Sequence, residues 1–119
     1  NDLFSMGSAL ANTKVRSDKL AVISLTKRVK ELEDTIDDMP EQMLALSNFI
    51  LPGGGKTGAL LHFARTVCRR AERKVVALDG REKVDKNIIM YLNRLSDLLF
   101  TMARFVNYKE KNKEIIWPA

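Results

Sequence analysis

Three arginines are spaced so that, on a helix, their side chains form a single stripe. Arg65, Arg69 and Arg73 lie four residues apart, and Glu72 follows the second of them at a distance that places it on the same side. A guanidinium group stays charged at any working pH and can bind two oxygens at once, so the stripe suits a polyphosphate. Glu72 could then orient an arginine or accept from a ribose hydroxyl. A solvated basic face with ordinary Glu–Arg pairs explains the same spacing, and this alternative stays open.

A second polar stripe lies further along the chain. Asn93, Asp97, Phe100 and Arg104 recur every three or four residues, away from the apolar side of their helix. Asn and Asp are poor residues for a helix interior, because their side chains compete for the backbone. Two of them one turn apart therefore indicate a demand beyond folding.

The segment 47–58 ends in Gly55-Lys56-Thr57, a sequence typical of phosphate loops. A Walker A loop also needs a glycine where Ile50 stands, and a preceding strand of a parallel sheet. We therefore interpret the segment as a glycine-rich entry to a helix, whose N-terminus could bind an anion weakly. Phe49, in the same connection, is either an apolar plug under the end of the helices or a ring that protrudes into a ligand pocket.

The other reactive residue types form no catalytic arrangement. His62 is the only histidine and has no partner at metal-ligand spacing, so we expect a structural or pocket-lining role and no protein metal site. Cys68 is the only cysteine, which excludes an internal disulfide and favours an intracellular, cytoplasmic location. We expect it to pack in the core. No nucleophile with a base, and no pair of carboxylates, stands out.

Length and charge narrow the possible classes of protein. A chain of 119 residues is long enough for one core, so we expect a single domain over residues 1–119. The net charge of +5 favours an anionic partner such as nucleic acid, nucleotide or phosphate. No run approaches the roughly 18 consecutive apolar residues of a membrane span.

Helical spacing of apolar residues recurs four times, and alternating strand patterns are nearly absent, so we predict an all-α protein. The first helix is already under way at the start of the chain. The second runs from an N-cap at Ser17 or Asp18 to Pro40, the third starts after Gly58 and stops near Gly80, and the fourth follows. Long helices with short links predict an up-down bundle of four to five helices. The predicted core faces are Leu3, Met6 and Leu10; Val22, Leu25, Val29, Leu32, Ile36 and Met39; Leu60, Ala64, Val67, Ala71, Val75 and Leu78; and Ile88, Leu92, Leu95, Leu99, Met102 and Val106.

Several stretches in order along nearly the whole chain resemble one family. They are Asn48-Phe-Ile-Leu-Pro-Gly-Gly, His62-Phe-Ala-Arg-Thr-Val-Cys-Arg-Arg-Ala-Glu-Arg73, Val75-Val-Ala-Leu, Tyr91-Leu-Asn-Arg-Leu-Ser-Asp97 and Glu114-Ile-Ile-Trp117. Together they look like the signature of the ATP:cob(I)alamin adenosyltransferases of propanediol-utilising bacteria, archaea and mitochondria. The resemblance implies a five-helix bundle assembled as a homotrimer, with active sites between subunits. For an animal protein it implies the mitochondrial matrix.

The resemblance also implies roles for particular residues. Four residues of the third helix would contact ATP: Arg69, Arg70, Glu72 and Arg73. Asn93 would hold the nucleotide from the next helix, and Arg65 would form an ion pair across the subunit boundary. Phe49 would be the wedge that keeps the lower ligand of cobalamin off the cobalt, which favours the pocket interpretation of this residue.

The implied reaction is attack of cobalt(I) on the 5′ carbon of ATP, with ATP bound as its Mg²⁺ complex and triphosphate as leaving group. Fixed arginines would stabilise the charge of triphosphate, and no side chain need act as a base. The family has a Gly- and Thr-rich N-terminal segment that wraps the triphosphate, and we expect that this segment is missing here. Two alternatives remain: a basic helical module that binds nucleic acid through its arginines, and a scaffolding bundle that has lost catalysis.

Overall fold

The computed structural model describes residues 1–11, 18–39, 50–111 and 115–116. These ranges contain four helices: α1 (Asp2–Ala11), α2 (Asp18–Asp37), α3 (Lys56–Asp79) and α4 (Lys86–Lys109). Two short strands, β1 (Ile50–Leu51) and β2 (Ile115–Ile116), pair antiparallel, with Ile50 opposite Ile116 and Leu51 opposite Ile115. The prediction of an all-α bundle is confirmed, because this two-residue ladder is the only strand pairing in the described ranges.

The two longest helices, α3 and α4, pack antiparallel along their whole length. The thiol of Cys68, in the middle of α3, donates to the carbonyl of Leu92, in the second turn of α4, at 3.3 Å. Towards the start of α3, His62 packs edge-on against Phe100, further along α4. Residues with lower numbers on α3 therefore contact residues with higher numbers on α4, which is the order of an antiparallel pair. The short turn at 80–85 that joins the helices favours this antiparallel arrangement. α2 packs on α4, and α1 packs on α2.

The two ends of the bundle bury different types of side chain. Its apolar core comprises Met6, Leu25, Val29, Cys68, Val75, Val84, Ile88, Tyr91 and Leu92. Towards the end that carries the start of α3, the buried residues are small or polar: Gly58, His62, Ser96, Ala103 and Asn107. Small residues let two backbones approach closely, and buried polar side chains need hydrogen-bond partners, so this end is specified by hydrogen bonds as well as by apolar burial.

The turn between α3 and α4 is fixed by two carboxylates. Asp85 is the N-cap of α4 and accepts from the Asn87 amide at 2.9 Å. Asp79 accepts from the Val84 amide at 3.1 Å and from the Lys86 ammonium group. Both hydrogen bonds hold the pKa of the Asp79 carboxyl below its ordinary value, and the bond from Lys86 has the larger effect. α3 ends at Asp79 with Gly80 as its C-cap, where the end was predicted, and Gly80 has a right-handed φ of −71°.

The predicted core face of α3 is correct in part. Val75 is buried and Leu78 packs against the core, but Leu60, Val67 and Ala71 are exposed, with 59% of Leu60 accessible. The helix instead turns the side with His62 and Cys68 toward α4. Periodicity located an apolar stripe correctly but could not tell which stripe meets this chain's own core. The helix also begins at Lys56, two residues before the predicted start after Gly58.

The predicted faces of the other helices agree better with the structure. Leu25 and Val29 are buried on α2, Met6 on α1, and Ile88 and Leu92 on α4. α2 ends at Asp37, so Met39 lies beyond it. The predictions for Ser17, Pro40 and Phe49, and for the side chain of Val22, fall outside the described residues.

Candidate functional site

Glu72 and Asn93, predicted from separate helices, lie in contact. The Asn93 amide nitrogen (Nδ2) donates to Glu72 Oε2 at 3.1 Å, which links the last third of α3 to the first third of α4. The Asn93 amide oxygen accepts from Arg94 Nη1 at 2.7 Å. Because the oxygen is engaged by a guanidinium, the nitrogen must point at the carboxylate. Glu72 is thereby held towards α4.

Arg94 is itself held by carboxylates on two helices. Its guanidinium lies 3.7 Å from Glu33 on α2 and 3.5 Å from Asp97 on α4. These exposed ion pairs contribute little to stability one by one. They fix the direction from which Arg94 reaches Asn93. A chain of polar contacts therefore crosses three helices, from Glu33 through Arg94 and Asn93 to Glu72.

Three predicted arginines present their side chains to solvent. Arg69, Arg70 and Arg73 are exposed, and in the described part of the chain none of them makes a hydrogen bond or an ion pair. Three guanidinium groups within about one turn of helix produce a strongly positive surface beside Glu72. Such a surface can bind an anion with several oxygens without first breaking an ion pair.

Arg65 occupies a different environment from the other arginines of the stripe. It is partly buried, and its guanidinium carbon lies 5.0 Å from the centre of the Phe100 ring. His62, only 3% exposed, meets the edge of the same ring at 5.8 Å between centroids. Cation–π contact favours this placement of Arg65. Among the described residues Arg65 has no carboxylate partner.

A pocket of about 420 Å³ opens between α2 and α4. Its lining residues are Glu33, Ile36, Asp37, Arg94, Asp97, Phe100 and Thr101. Three carboxylates against one guanidinium make it unsuitable for a triphosphate, and none of the predicted ATP-contacting residues lines it. A polyphosphate fits better on the exposed arginines of α3 than in this pocket.

Two other features limit the chemistry that the described residues can perform. Burial, together with the charge of Glu72, raises the pKa of the Cys68 thiol, although Arg69 opposes this, so Cys68 stays protonated and is a poor nucleophile. The described residues include no group of three or more metal-ligating side chains.

None of the described helices is long and apolar enough to cross a membrane.

The structure brings together some of the predicted residues and adds others. Glu72 and Asn93 meet, the arginines lie on the same helix, and Phe49 lies outside the described residues. Sequence reasoning missed Arg94 and Asn107. A signal for Asn107 was present, because it is a third Asn or Asp in the interior of α4, where such residues are unfavourable.

Comparisons with known proteins point to one family. The sequence model described as Cobalamin adenosyltransferase matches residues 1–106. The corrinoid adenosyltransferase MMAB of Homo sapiens is 47% identical over 119 residues, covering 97% of this chain and 47% of that protein. The corrinoid adenosyltransferase of Bacillus subtilis is 46% identical over 108 residues, covering 90% of this chain and 54% of that protein.

A solved structure supports the same relationship. It is a variant of the PduO-type ATP:corrinoid adenosyltransferase from Lactobacillus reuteri, complexed with cobalamin and ATP. The two folds superpose with a TM-score of 0.73 at 37% sequence identity, covering 77% of this chain and 51% of the other. The chain spans about half the length of the curated relatives that it matches.

Proposed function

The chain belongs to the cobalamin adenosyltransferase family, and from that premise we propose that it forms the helical body of an enzyme that adenosylates cob(I)alamin. The substrates are ATP, as its Mg²⁺ complex, and cobalamin. The products are adenosylcobalamin and triphosphate. The observation that carries the proposal is the contact of Glu72 with Asn93 beside three exposed arginines, which have no ion-pair partner among the described residues.

The reaction requires charge stabilisation more than proton transfer. Cobalt(I) supplies the electron pair of the new bond to the 5′ carbon of ATP, and the bond from that carbon to the phosphate oxygen breaks, so triphosphate leaves with its electrons. The leaving group carries about four negative charges, which fixed guanidinium groups stabilise without reorganisation. This matches the side chains of Arg69, Arg70 and Arg73. No step needs a base.

Glu72 and Asn93 have a different role in this proposal. Glu72 accepts from one hydroxyl of the ribose, while Asn93 holds the nucleotide from α4. The Arg94 guanidinium donates to the Asn93 amide oxygen and so fixes the orientation of the amide group, with its nitrogen towards Glu72. Phe49 is proposed as the wedge that displaces the lower ligand of cobalamin. A four-coordinate cobalt(II), stripped of its lower ligand in an apolar pocket, is easier to reduce to cobalt(I) by an external one-electron donor, so the wedge helps to reach the reactive state.

We also propose that the functional unit is a homotrimer with Arg65 at the subunit boundary. Supporting this, α3 exposes a stripe of large apolar side chains, Leu60, Phe63 and Val67, with 66% of Phe63 accessible. Large exposed apolar stripes mark sites of association. Arg65, which lacks a carboxylate in the described ranges, would pair with one from a neighbouring subunit. We propose one domain over residues 1–119 and an intracellular location, in keeping with the single unpaired cysteine.

The test of the proposal is the absorbance change when full-length protein, ATP, Mg²⁺ and chemically reduced cobalamin are mixed. We expect formation of adenosylcobalamin by the wild-type protein. Arg69→Ala should lower kcat/KM by roughly 10- to 100-fold, since hydrogen bonds to charged groups contribute about 1.5–3 kcal/mol. Arg69→Lys should recover part of this loss, because it keeps the charge but not the planar fork.

The matched control is Arg81→Ala, which removes an exposed arginine from the turn between α3 and α4. It lowers the net charge by the same amount, so it should leave kcat/KM unchanged. Equal losses in the two variants would refute a specific role for Arg69. A folded wild-type protein that makes no adenosylcobalamin would refute the proposed reaction. The nucleic-acid alternative receives no support from the comparisons.

A further inference from the structure

Two large apolar side chains lie exposed beside the contact between Glu72 and Asn93. Val76 on α3 is 50% exposed, and Met90 on α4 is 47% exposed. Val76 follows Glu72 by four residues, and Met90 precedes Asn93 by three. These spacings place each apolar side chain one turn from its polar neighbour, on the same side of the helix. Because α3 and α4 are antiparallel, both lie towards the turn at 80–85 and flank the same end of the polar contact.

Val76 does not belong to the apolar stripe that we propose as a subunit contact. That stripe consists of Leu60, Phe63 and Val67. Val76 comes nine residues after Val67, or about two and a half turns, so the two side chains project from opposite sides of α3. Single exposed apolar residues are common on protein surfaces. Here a second one, Met90, lies at the same level on the neighbouring helix, so the two form a pair that the stripe does not explain.

The residues on either side of Glu72 follow a definite order along α3. Arg69 lies three residues before Glu72, or about 4.5 Å along the helix axis, and Val76 lies four residues after it, or about 6 Å. Arg70 also precedes Glu72, and of the three arginines only Arg73 follows it. The helix therefore presents guanidinium groups, then the carboxylate proposed to accept from a ribose hydroxyl, then an apolar side chain. ATP has the same order of triphosphate, ribose and base.

The chemistry of this pair suits a flat aromatic base. Met90 has an unbranched side chain with a polarizable thioether, which adapts in shape and makes favourable contacts with aromatic rings. Val76 adds a rigid surface of two methyl groups. A base that lies against both side chains removes their apolar surface from water. Neither side chain has a strong hydrogen-bonding group, so the pair contributes affinity for the ring itself.

We infer that Val76 and Met90 bind the adenine base of ATP, as an apolar platform next to the ribose acceptor Glu72. The inference rests on the proposed function, which places the triphosphate and ribose of ATP on α3. The platform contributes affinity for the base and none for triphosphate. It therefore raises the affinity of the site for the substrate, ATP, relative to the product, triphosphate, and so favours the exchange of product for substrate after each reaction.

The first test compares full-length wild-type protein with the double variant Val76→Thr, Met90→Gln, which nearly keeps the size of both side chains but makes them polar. The KM for ATP should rise roughly five- to tenfold, because the base would cover less apolar surface. The inhibition constant of inorganic triphosphate, which has no base, should stay within about twofold, as should the KM for cob(I)alamin. Equal rises in the KM for ATP and the inhibition constant of triphosphate would overturn the inference.

The matched control is Leu3→Gln, which makes polar an apolar side chain that is 55% exposed on α1. It should change none of these constants. Sedimentation of the double variant separates base binding from assembly, because the inference predicts the same oligomeric state as the wild type. A change of oligomeric state in the double variant alone would show that the pair is a subunit contact, and the inference would then be wrong.

A second test needs neither substitution nor turnover. Proton–carbon NMR spectra follow the methyl groups of Val76 and Met90 in the wild-type protein while ATP or inorganic triphosphate is added. An adenine ring against these methyl groups should shift their proton signals upfield by its ring current, and triphosphate should leave them nearly unchanged. If ATP shifts the signals of Arg69 but not these methyl signals, the inference fails and the proposed function stands. If the protein makes no adenosylcobalamin, the proposed function fails, while the methyl shifts still decide whether the pair binds adenine.

Discussion

Gly58→Ala should destabilise the wild-type protein but stabilise the Asn107→Ala variant. Alanine is favoured over glycine inside a helix by up to about 1 kcal/mol, so the substitution should help wherever space permits. In the wild type the new methyl group overlaps the Asn107 side chain, which is buried and cannot move without losing its bonds to Gly53 and Gly55. The sign of the effect therefore depends on residue 107.

The magnitude follows from three contributions. Two lost hydrogen bonds cost about 1 kcal/mol each, and forced repacking costs about 1–3 kcal/mol if the amide does not leave fully. Against these stands the gain of up to about 1 kcal/mol from helix propensity. The net effect of Gly58→Ala is a loss of about 1–3 kcal/mol in the wild type. In the Asn107→Ala background it is a gain of up to about 1 kcal/mol, so the coupling is about 2–4 kcal/mol.

The assay is thermal and urea unfolding of the four proteins of this double-mutant cycle, as full-length chains. At about 4 °C per kcal/mol, Gly58→Ala should lower the wild-type Tm by roughly 4–12 °C and raise that of Asn107→Ala. Gly7→Ala is the matched control, because a methyl group there meets no atom within 4 Å. It should raise Tm slightly in both backgrounds. Equal effects of Gly58→Ala in the two backgrounds would refute the argument that Asn107 fills this space.

Three other substitutions test separate parts of the structure. Asn93→Asp removes the donor to Glu72 and places a second carboxylate against it, so the KM for ATP should rise about tenfold at unchanged KM for cobalamin, measured by steady-state kinetics. Burial, and then the hydrogen bond to Asp2, raise the pKa of Tyr91 from 10.0 to about 12. The folded state therefore favours the neutral phenol, and the stability that this contributes is complete below pH 10 and lost as the pH rises to 12. In urea unfolding, the Tyr91→Phe variant should not show this loss of stability at high pH. At pH 7 it should be about 1 kcal/mol less stable than the wild type, because it lacks the hydrogen bond to Asp2. Asp85→Ala should lower stability by about 1 kcal/mol in the same assay, by loss of the N-cap of α4.

Much of the fold could be predicted from the sequence because each helix carries its own start, end and apolar period. The core positions of α4, such as Ile88 and Leu92, follow directly from the spacing. α3 shows where this reasoning fails. It has an apolar stripe with Leu60 and Val67 and another side with His62 and Cys68, and the more apolar stripe is the exposed one. Periodicity measures how apolar a face is, and it carries no information on which surface the face contacts.

The candidate site could be predicted only in part, for a related reason. Arg69, Glu72 and Asn93 were identified from residue type, helical spacing and resemblance. Asn107 was missed because its role depends on two backbone groups of a distant loop, and the residues that supply them are glycines with no side-chain signal. Arg94 was missed because an arginine on an exposed face has many possible partners, and only the fold selects Asn93.

The bond between Asn93 and Glu72 has an electrostatic consequence for the arginines of α3. Glu72 lies three residues after Arg69 and directly before Arg73, close enough in a helix to pair with the first of them. Such a pair would cancel one of the positive charges proposed to stabilise triphosphate. The amide of Asn93 instead holds the carboxylate towards α4, and Arg94 fixes the amide. The proposed site thus keeps a ribose acceptor beside three guanidinium groups that have no ion-pair partner in the described part of the chain. Helix α4 prevents the carboxylate of Glu72 from neutralising them.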